Sequence, residues 1–196
     1  MNFLGHAYIA RNHPNLIAGN FAGDSYKGKL DNFDLPKNII QGIKLHRFID
    51  DYTDHSETIL TAGHIFHAEG IKKIAYIATD LLLDHYLARE WVNFSSKDYA
   101  EFIDEVYKNT ERFLPQLMPD FQGLYANLKE YEWFFDYPSE DGMRLILKQF
   151  SHRIRFENEL PRCMDIYLAQ QSTFDELFSN FLIDISERSV EFIDEL

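Results

Sequence analysis

Cysteine is nearly absent from this chain: Cys163 is the only one among 196 residues. An internal disulfide is therefore excluded, as is any zinc or iron–sulfur site built from several thiolates of one chain, and Cys163 reads as a passive thiol. Positive charge is scarce as well, with 19 basic against 32 acidic residues and a formal charge of −13. Bulk nucleic-acid binding needs a basic face, so that class is excluded, and any phosphate-bearing partner has to be met by local charge. No apolar run approaches the roughly 18 residues that cross a bilayer, and Met1-Asn2-Phe3-Leu4-Gly5-His6 lacks the basic stretch of a secretion signal. The expectation is a cytoplasmic protein with no membrane partner. Strand-period runs, internal repeats, low-complexity tracts and linkers are also missing. What remains is 45% hydrophobic and 15% aromatic, a globular composition long enough to bury a substantial core. The reading is all-α: one helical bundle over residues 1–196, its chemistry concentrated in residues 1–91, its oligomeric state open.

The segment from Asn38 to Asp54 organises the rest. Wound at about 3.6 residues per turn, it places Ile39, Ile43 and Ile49 on one face together with His46 and Asp50, and Asp54 continues the row. An unpaired carboxylate on a dry face costs several kcal/mol or shifts its pKa until it is neutral, so a compensating charge is required. His46 and Asp50 are one turn apart and can share a divalent ion. A lone pair of this kind also forms as a plain hydrogen bond inside a bundle, but the pattern repeats. The helix read from Ile71 to Trp91 carries Asp80, Asp84 and His85 into its apolar side. His6 faces inward on a short helix over residues 2–11, before Asn12-His13-Pro14-Asn15 interrupts it. With Asp24 added, these residues make a metal constellation a better account than coincident core pairs.

Leu16 to Lys29 reads as a compact glycine-bearing turn that brings Asp24 and Lys27 toward the site. It lacks the Gly-Lys-Ser/Thr ending of a phosphate-binding P-loop. His64 and His67 read as solvent-facing. Further helices are expected from residues 98 to 114, after Pro138-Ser139-Glu140-Asp141, and from 173 to 196. Arg153 and Arg155 either face a phosphate or complement a helix dipole.

Four blocks carry a resemblance: Met1-Asn2-Phe3-Leu4-x-His6; Gly19-Asn20-x-x-x-Asp24-x-x-Lys27-Gly28; Gly42-Ile43-x-Leu45-His46-Arg47-x-Ile49-Asp50-x-x-Thr53-Asp54; and Asp80-x-x-x-Asp84-His85-x-Leu87-x-x-x-Trp91. In this order they resemble the acyl carrier protein phosphodiesterases, a family distantly related to the HD phosphohydrolases. The resemblance implies a helical bundle that uses a divalent metal, typically Mn²⁺ with Mg²⁺ or Fe²⁺ as alternatives. The implied reaction is hydrolysis of the phosphodiester joining 4′-phosphopantetheine to a serine of holo-acyl carrier protein. Family members often place His-Pro two residues after the aspartate matched by Asp54; here His55 follows directly, so no role follows for it. The doublet Asp84-His85 is also reversed from an HD motif.

On this footing the expected metal ligands are His46, Asp50, Asp84 and His85, with His6 and Asp24 completing the shell or holding a second ion. Asp24 and Asp80 are the expected acid–base or orienting carboxylates. Lys27 and Arg47 are expected to stabilise phosphate charge, unless Arg47 pairs with Asp51. Lys27, Lys29, Lys44, Arg153 and Arg155 are the expected contacts for an acidic carrier protein. The competing readings are a phosphohydrolase of a small phosphodiester or nucleotide, and a non-catalytic helical binding module.

Overall fold

The computed structural model describes residues 1–196, and every regular element in it is helical. Twelve α-helices follow one another: α1 (Phe3–Ile9), α2 (Pro14–Phe21), α3 (Lys37–His55), α4 (Glu57–Ala68), α5 (Ala75–Arg89), α6 (Trp91–Phe94), α7 (Tyr99–Glu111), α8 (Pro119–Glu130), α9 (Trp133–Asp136), α10 (Glu140–Arg153), α11 (Cys163–Ala169) and α12 (Gln171–Asp194). Their starts are written in local chemistry. The Asn2 side chain accepts the Phe3 N–H at the head of α1, Asp98 accepts from Ala100 and Glu101 at α7, and Ser139 accepts from Gly142 at α10. Each satisfies a donor that the first helical turn leaves open.

α5 is the axis of the fold. Ala78, Leu81, Leu82, Leu83 and Leu87 are all fully buried and residues 81–88 are buried without a break, so this helix meets solvent mainly in its first turn, at Tyr76 and Ile77. One continuous hydrophobic cluster runs from Met1 to Ile185 around it. α12 closes the bundle over α3, where Phe48 stacks on Phe192 with ring centroids 4.3 Å apart. No helix is long and apolar enough to cross a membrane.

The closest helix crossing lies between α2 and α3 and is made by two glycines. A Cβ on Gly42 would stand 2.4 Å from the Leu16 carbonyl oxygen, and one on Gly19 would stand 2.2 Å from that of Ile39. Only residues without a side chain allow backbones this near.

Here the structure departs from the sequence expectation. Leu16 to Phe21 is helical and not part of a turn, because Pro14 presets the first helical position and Leu16, Ile17 and Phe21 bury as one face. Gly19 serves helix packing, and the left-handed turn falls instead at Gly28, with φ of 84°. The long helix expected from Ile71 starts at Ala75: Gly70, with φ of 88°, ends α4, and Ile71 to Ile74 turn back toward the core. α11 has no counterpart in the expectation.

Candidate metal centre

Three segments converge on the C-terminal half of α3. α1 brings His6, α3 brings His46 and Asp50, and the turn after α2 brings Asp24. The Nε2 atom of His6 lies 3.1 Å from Asp50 Oδ1, and Nε2 of His46 lies 3.0 Å from Asp50 Oδ2. The two imidazoles stack, with centroids 4.1 Å apart and planes 19° from parallel. Donor atoms of His6, His46 and Asp50 lie within 4.8 Å of one another.

The tautomers are fixed from behind, largely by Asn20 of α2. Nδ1 of His46 faces the Asn20 backbone carbonyl at 2.7 Å and must donate to it. The Asn20 amide donates to the His6 carbonyl at 2.7 Å, which turns its own oxygen toward His6 Nδ1 at 3.1 Å. Both rings in their neutral form therefore carry the proton on Nδ1 and present a lone pair on Nε2 toward the same carboxylate. Gly23 packs against the other side of the His46 ring: a Cβ there would come within 2.2 Å of it.

The electrostatics of this group follow from burial and from the two acids. Burial, followed by the neighbouring His46, pushes His6 down to about 4. For His46 burial is the largest single influence and opposes the charge, but Asp24 and Asp50 together outweigh it and raise the imidazole to about 9. Asp50 is held far below the ordinary carboxylate range because both histidines together overcome its burial. Asp24 is lowered to about 2, chiefly by the nearby His46 imidazole. Even so, His46 Nε2 is buried without a hydrogen-bond partner; the Asp50 oxygen beside it is close but off the bonding direction. Two lone pairs and a carboxylate aimed at one point, with a buried nitrogen left unpaired, fit a divalent cation.

The other expected site residues fall around this point. Asp24 is exposed at its mouth, 3.8 Å from His46 Nε2 and 3.2 Å from the Lys27 ammonium. A cleft of about 250 Å³ opens here, lined by Gly23, Asp24, Tyr26, Lys27, Gly28, His46, Arg47 and Asp50. Arg47 does not pair with Asp51, which instead lies 3.5 Å from His55. One Arg47 nitrogen donates to the Tyr26 and Gly28 carbonyls, both at 2.8 Å, and so holds the Asp24 turn against α3. Lys29 and Lys44 are exposed.

Asp84 and His85 lie outside the converging group. Asp84 is fully buried, and its two oxygens accept the Leu4 and Gly5 N–H groups at 2.8 and 3.0 Å. It thus anchors the first turn of α1 immediately before His6. Burial raises its carboxyl to about 7 against the pull of those two amides. His85 points the other way, with Nδ1 2.6 Å from the Tyr137 carbonyl and its ring edge-on to Tyr167; burial lowers its pKa. Asp80 accepts from the Met1 backbone nitrogen at 2.7 Å. Arg153 lies over the Trp133 ring at 4.8 Å, and Arg155 is exposed. His64 is exposed and His67 half-buried. The reading of the sequence assigned nothing to Asn20 or Gly23, although Asn20 sits in one of the quoted blocks.

Comparison with known proteins gives a consistent result. The family description of acyl carrier protein phosphodiesterase matches residues 1–185. An acyl carrier protein phosphodiesterase of Shigella boydii serotype 18 is 27% identical over 195 residues, covering 97% of this chain and 100% of the relative. One from Klebsiella pneumoniae subsp. pneumoniae is 32% identical over 133 residues, 68% of this chain and 66% of the relative. One from Escherichia coli O157:H7 is 26% identical over 195 residues, again 97% and 100%. No solved structure matches.

Proposed function

Since this chain belongs to the acyl carrier protein phosphodiesterase family, we propose that it uses a divalent metal held by His6, His46 and Asp50 to convert holo-acyl carrier protein to the apo form. The bond cleaved is the phosphodiester between 4′-phosphopantetheine and the carrier's serine. The observation that carries this reading is the convergence of two Nε2 lone pairs on the Asp50 carboxylate beside an open polar cleft. A nitrogen and carboxylate donor set suits Mn²⁺, and Fe²⁺ or Mg²⁺ are the alternatives. When bound, such an ion supplies Lewis-acid polarisation of the phosphoryl oxygens and a water of lowered pKa.

The chain's own residues do the rest. Asn20 holds both imidazoles with Nε2 forward, and Asp84 fixes the turn from which His6 projects. Asp24, ionised and open to the cleft, either completes the ligand set or orients the attacking water and takes its proton. Lys27 beside Asp24 offers a mobile positive charge to the phosphate. Arg47 shapes the cleft through the Tyr26 and Gly28 carbonyls and keeps its remaining N–H donors for the phosphoryl group. Asp80 supports the site from the Met1 segment. Lys27, Lys29 and Lys44 form the basic rim that an acidic carrier protein would meet on an otherwise negative molecule, with Arg153 and Arg155 as outlying contacts.

The test is mass-spectrometric: the purified protein is incubated with holo-acyl carrier protein and Mn²⁺. The expected result is loss of the phosphopantetheine mass, abolished by a chelator and by Asp50→Asn. A folded, metal-loaded protein that leaves the carrier intact yet cleaves a small diester would overturn the carrier assignment. One that binds the carrier but cleaves nothing would overturn the enzyme assignment.

A further inference from the structure

A second cleft follows the first along α3. It holds about 320 Å³ and is lined by Thr53 and Asp54 of α3, Ile59 and Leu60 of α4, and Tyr76 and Asp80 of α5. Thr53 and Asp54 lie three and four residues beyond Asp50, so this cleft begins one helical turn past the candidate ligand. The two clefts share no lining residue, but the Met1 segment links the surroundings of one to those of the other. Asp80 holds the Met1 backbone nitrogen at 2.7 Å, and the Met1 side chain packs on Gly5, the residue before His6.

The linings differ in a telling way. The cleft at Asp24 and Arg47 is polar and carries two cations, which suits a phosphoryl group. The second cleft has no basic residue; it combines two carboxylates with the apolar surfaces of Ile59, Leu60 and Tyr76. Anionic groups are repelled there, whereas an uncharged chain that carries N–H donors and methyl groups is matched on both counts. The wall is also built in advance. Gly63 leaves room for the Tyr76 ring, since a Cβ there would lie 2.5 Å from it, and His67 meets the same ring edge-on at 5.6 Å. Tyr76 stays 41% exposed, facing nothing else in the chain that would explain a large aromatic surface.

We propose that this cleft seats the pantetheine arm of the substrate, with the phosphate at the Asp50 end and the thiol directed toward Tyr76 and Leu60. The assignment rests on the carrier-protein reading above. The arm is neutral and has two secondary amides, a hydroxyl and geminal methyl groups. Its amide hydrogens face Asp54 and Asp80, and its methyl groups face Ile59 and Leu60. Binding energy collected by the arm, remote from the phosphorus, holds the diester in place at the metal centre.

The test fills the cleft with Leu60→Trp and strips its wall with Tyr76→Ala, each checked for an unchanged melting profile. Three readouts are compared with wild type in Mn²⁺: KM for holo-acyl carrier protein, calorimetric affinity for free 4′-phosphopantetheine, and the rate on bis(p-nitrophenyl) phosphate, which has no arm. Each variant is expected to raise KM and weaken phosphopantetheine binding by about tenfold or more, while the arm-free diester is cleaved as by wild type. Unchanged KM and affinity in both folded variants, with wild type active on the carrier, would overturn the cleft and leave the function standing. Wild type inactive on the carrier would remove the function, and phosphopantetheine binding then decides the cleft alone: binding lost in Leu60→Trp supports it, and no binding by wild type overturns it.

Discussion

Gly42→Ala puts the α2–α3 crossing, and with it the geometry of the centre, to a direct test. The added Cβ would lie 2.4 Å from the Leu16 oxygen, 2.7 Å from the Asn20 nitrogen and 2.8 Å from the Gly19 Cα. All three are backbone atoms of one helix, so no side chain can rotate away. Reaching an ordinary separation of about 3.4 Å requires α2 to retreat by about 1 Å. Asn20 travels with it. Its carbonyl, now 2.7 Å from His46 Nδ1, would then stand at about 3.7 Å, beyond hydrogen-bonding range. Overpacking costs about 1–3 kcal/mol and the orphaned buried group about 1–3 more, against roughly 1 gained from helix propensity, leaving a net loss of about 1–5 kcal/mol. For a protein of this size that lowers Tm by about 2–20 °C. A 1 Å displacement at the ligands also costs turnover by about a hundredfold. Calorimetric melting and single-turnover rates measure both. Gly123→Ala is the control: it lies on the exposed side of α8 with nothing near its Cβ, so it should raise stability by about 0.5–1 kcal/mol. A Gly42→Ala protein with wild-type Tm and wild-type turnover would refute the reasoning.

Three further outcomes follow from the same geometry. His46, ordinarily near 6.5, sits at about 9 in the metal-free protein; the stability it gains from Asp24 and Asp50 is full below 6.5 and fades as pH rises through 9. Metal binding at pH 7 must therefore expel about one proton, with apparent affinity rising about tenfold per unit up to pH 9, as titration calorimetry in buffers of differing ionisation enthalpy would register. Asp50→Asn and Asp84→Asn should separate cleanly. The first abolishes metal binding and gives up Asp50's share of the His46 stabilisation, a loss of stability that disappears above pH 9, whereas the second, which loses an acceptor for the Leu4 or Gly5 N–H, costs about 1–3 kcal/mol yet retains the ion; metal analysis with melting curves at two pH values distinguishes them. Charge reversal at Lys27 plus Lys44 should raise KM for the carrier protein, the effect on KM shrinking as salt is added; steady-state kinetics at two ionic strengths would expose unchanged values.

The legibility of this molecule in its sequence depends on whether a partner is a side chain or a piece of backbone. His46 and Asp50 could be paired from spacing alone, because a helix fixes the relation between residues one turn apart. Asp84 was equally visible as a charge on a buried face that needed compensation. Its compensation comes from the Leu4 and Gly5 amides, and His85 likewise finds the Tyr137 carbonyl; backbone groups leave no mark in a residue pattern. Asn20 has no signature in the sequence, because an amide inside an apolar helix shows its role only once the two rings it orients are seen together. The longer helices α3, α5, α7, α10 and α12 follow from apolar periodicity and caps, whereas α4, α8, α9 and α11 do not stand out in the sequence, and α2 is hidden because Gly19 carries the same letter whether it turns a chain or lets two helices touch.

The most direct measurement is anomalous diffraction from crystals of the protein soaked in Mn²⁺. The account predicts one anomalous peak within ligand distance of Nε2 of His6, Nε2 of His46 and the Asp50 carboxylate, with the Asp84 oxygens still on the Leu4 and Gly5 amides. A peak bound instead by Asp84 and His85, or none in crystals of protein that cleaves holo-acyl carrier protein in the same buffer, would contradict it.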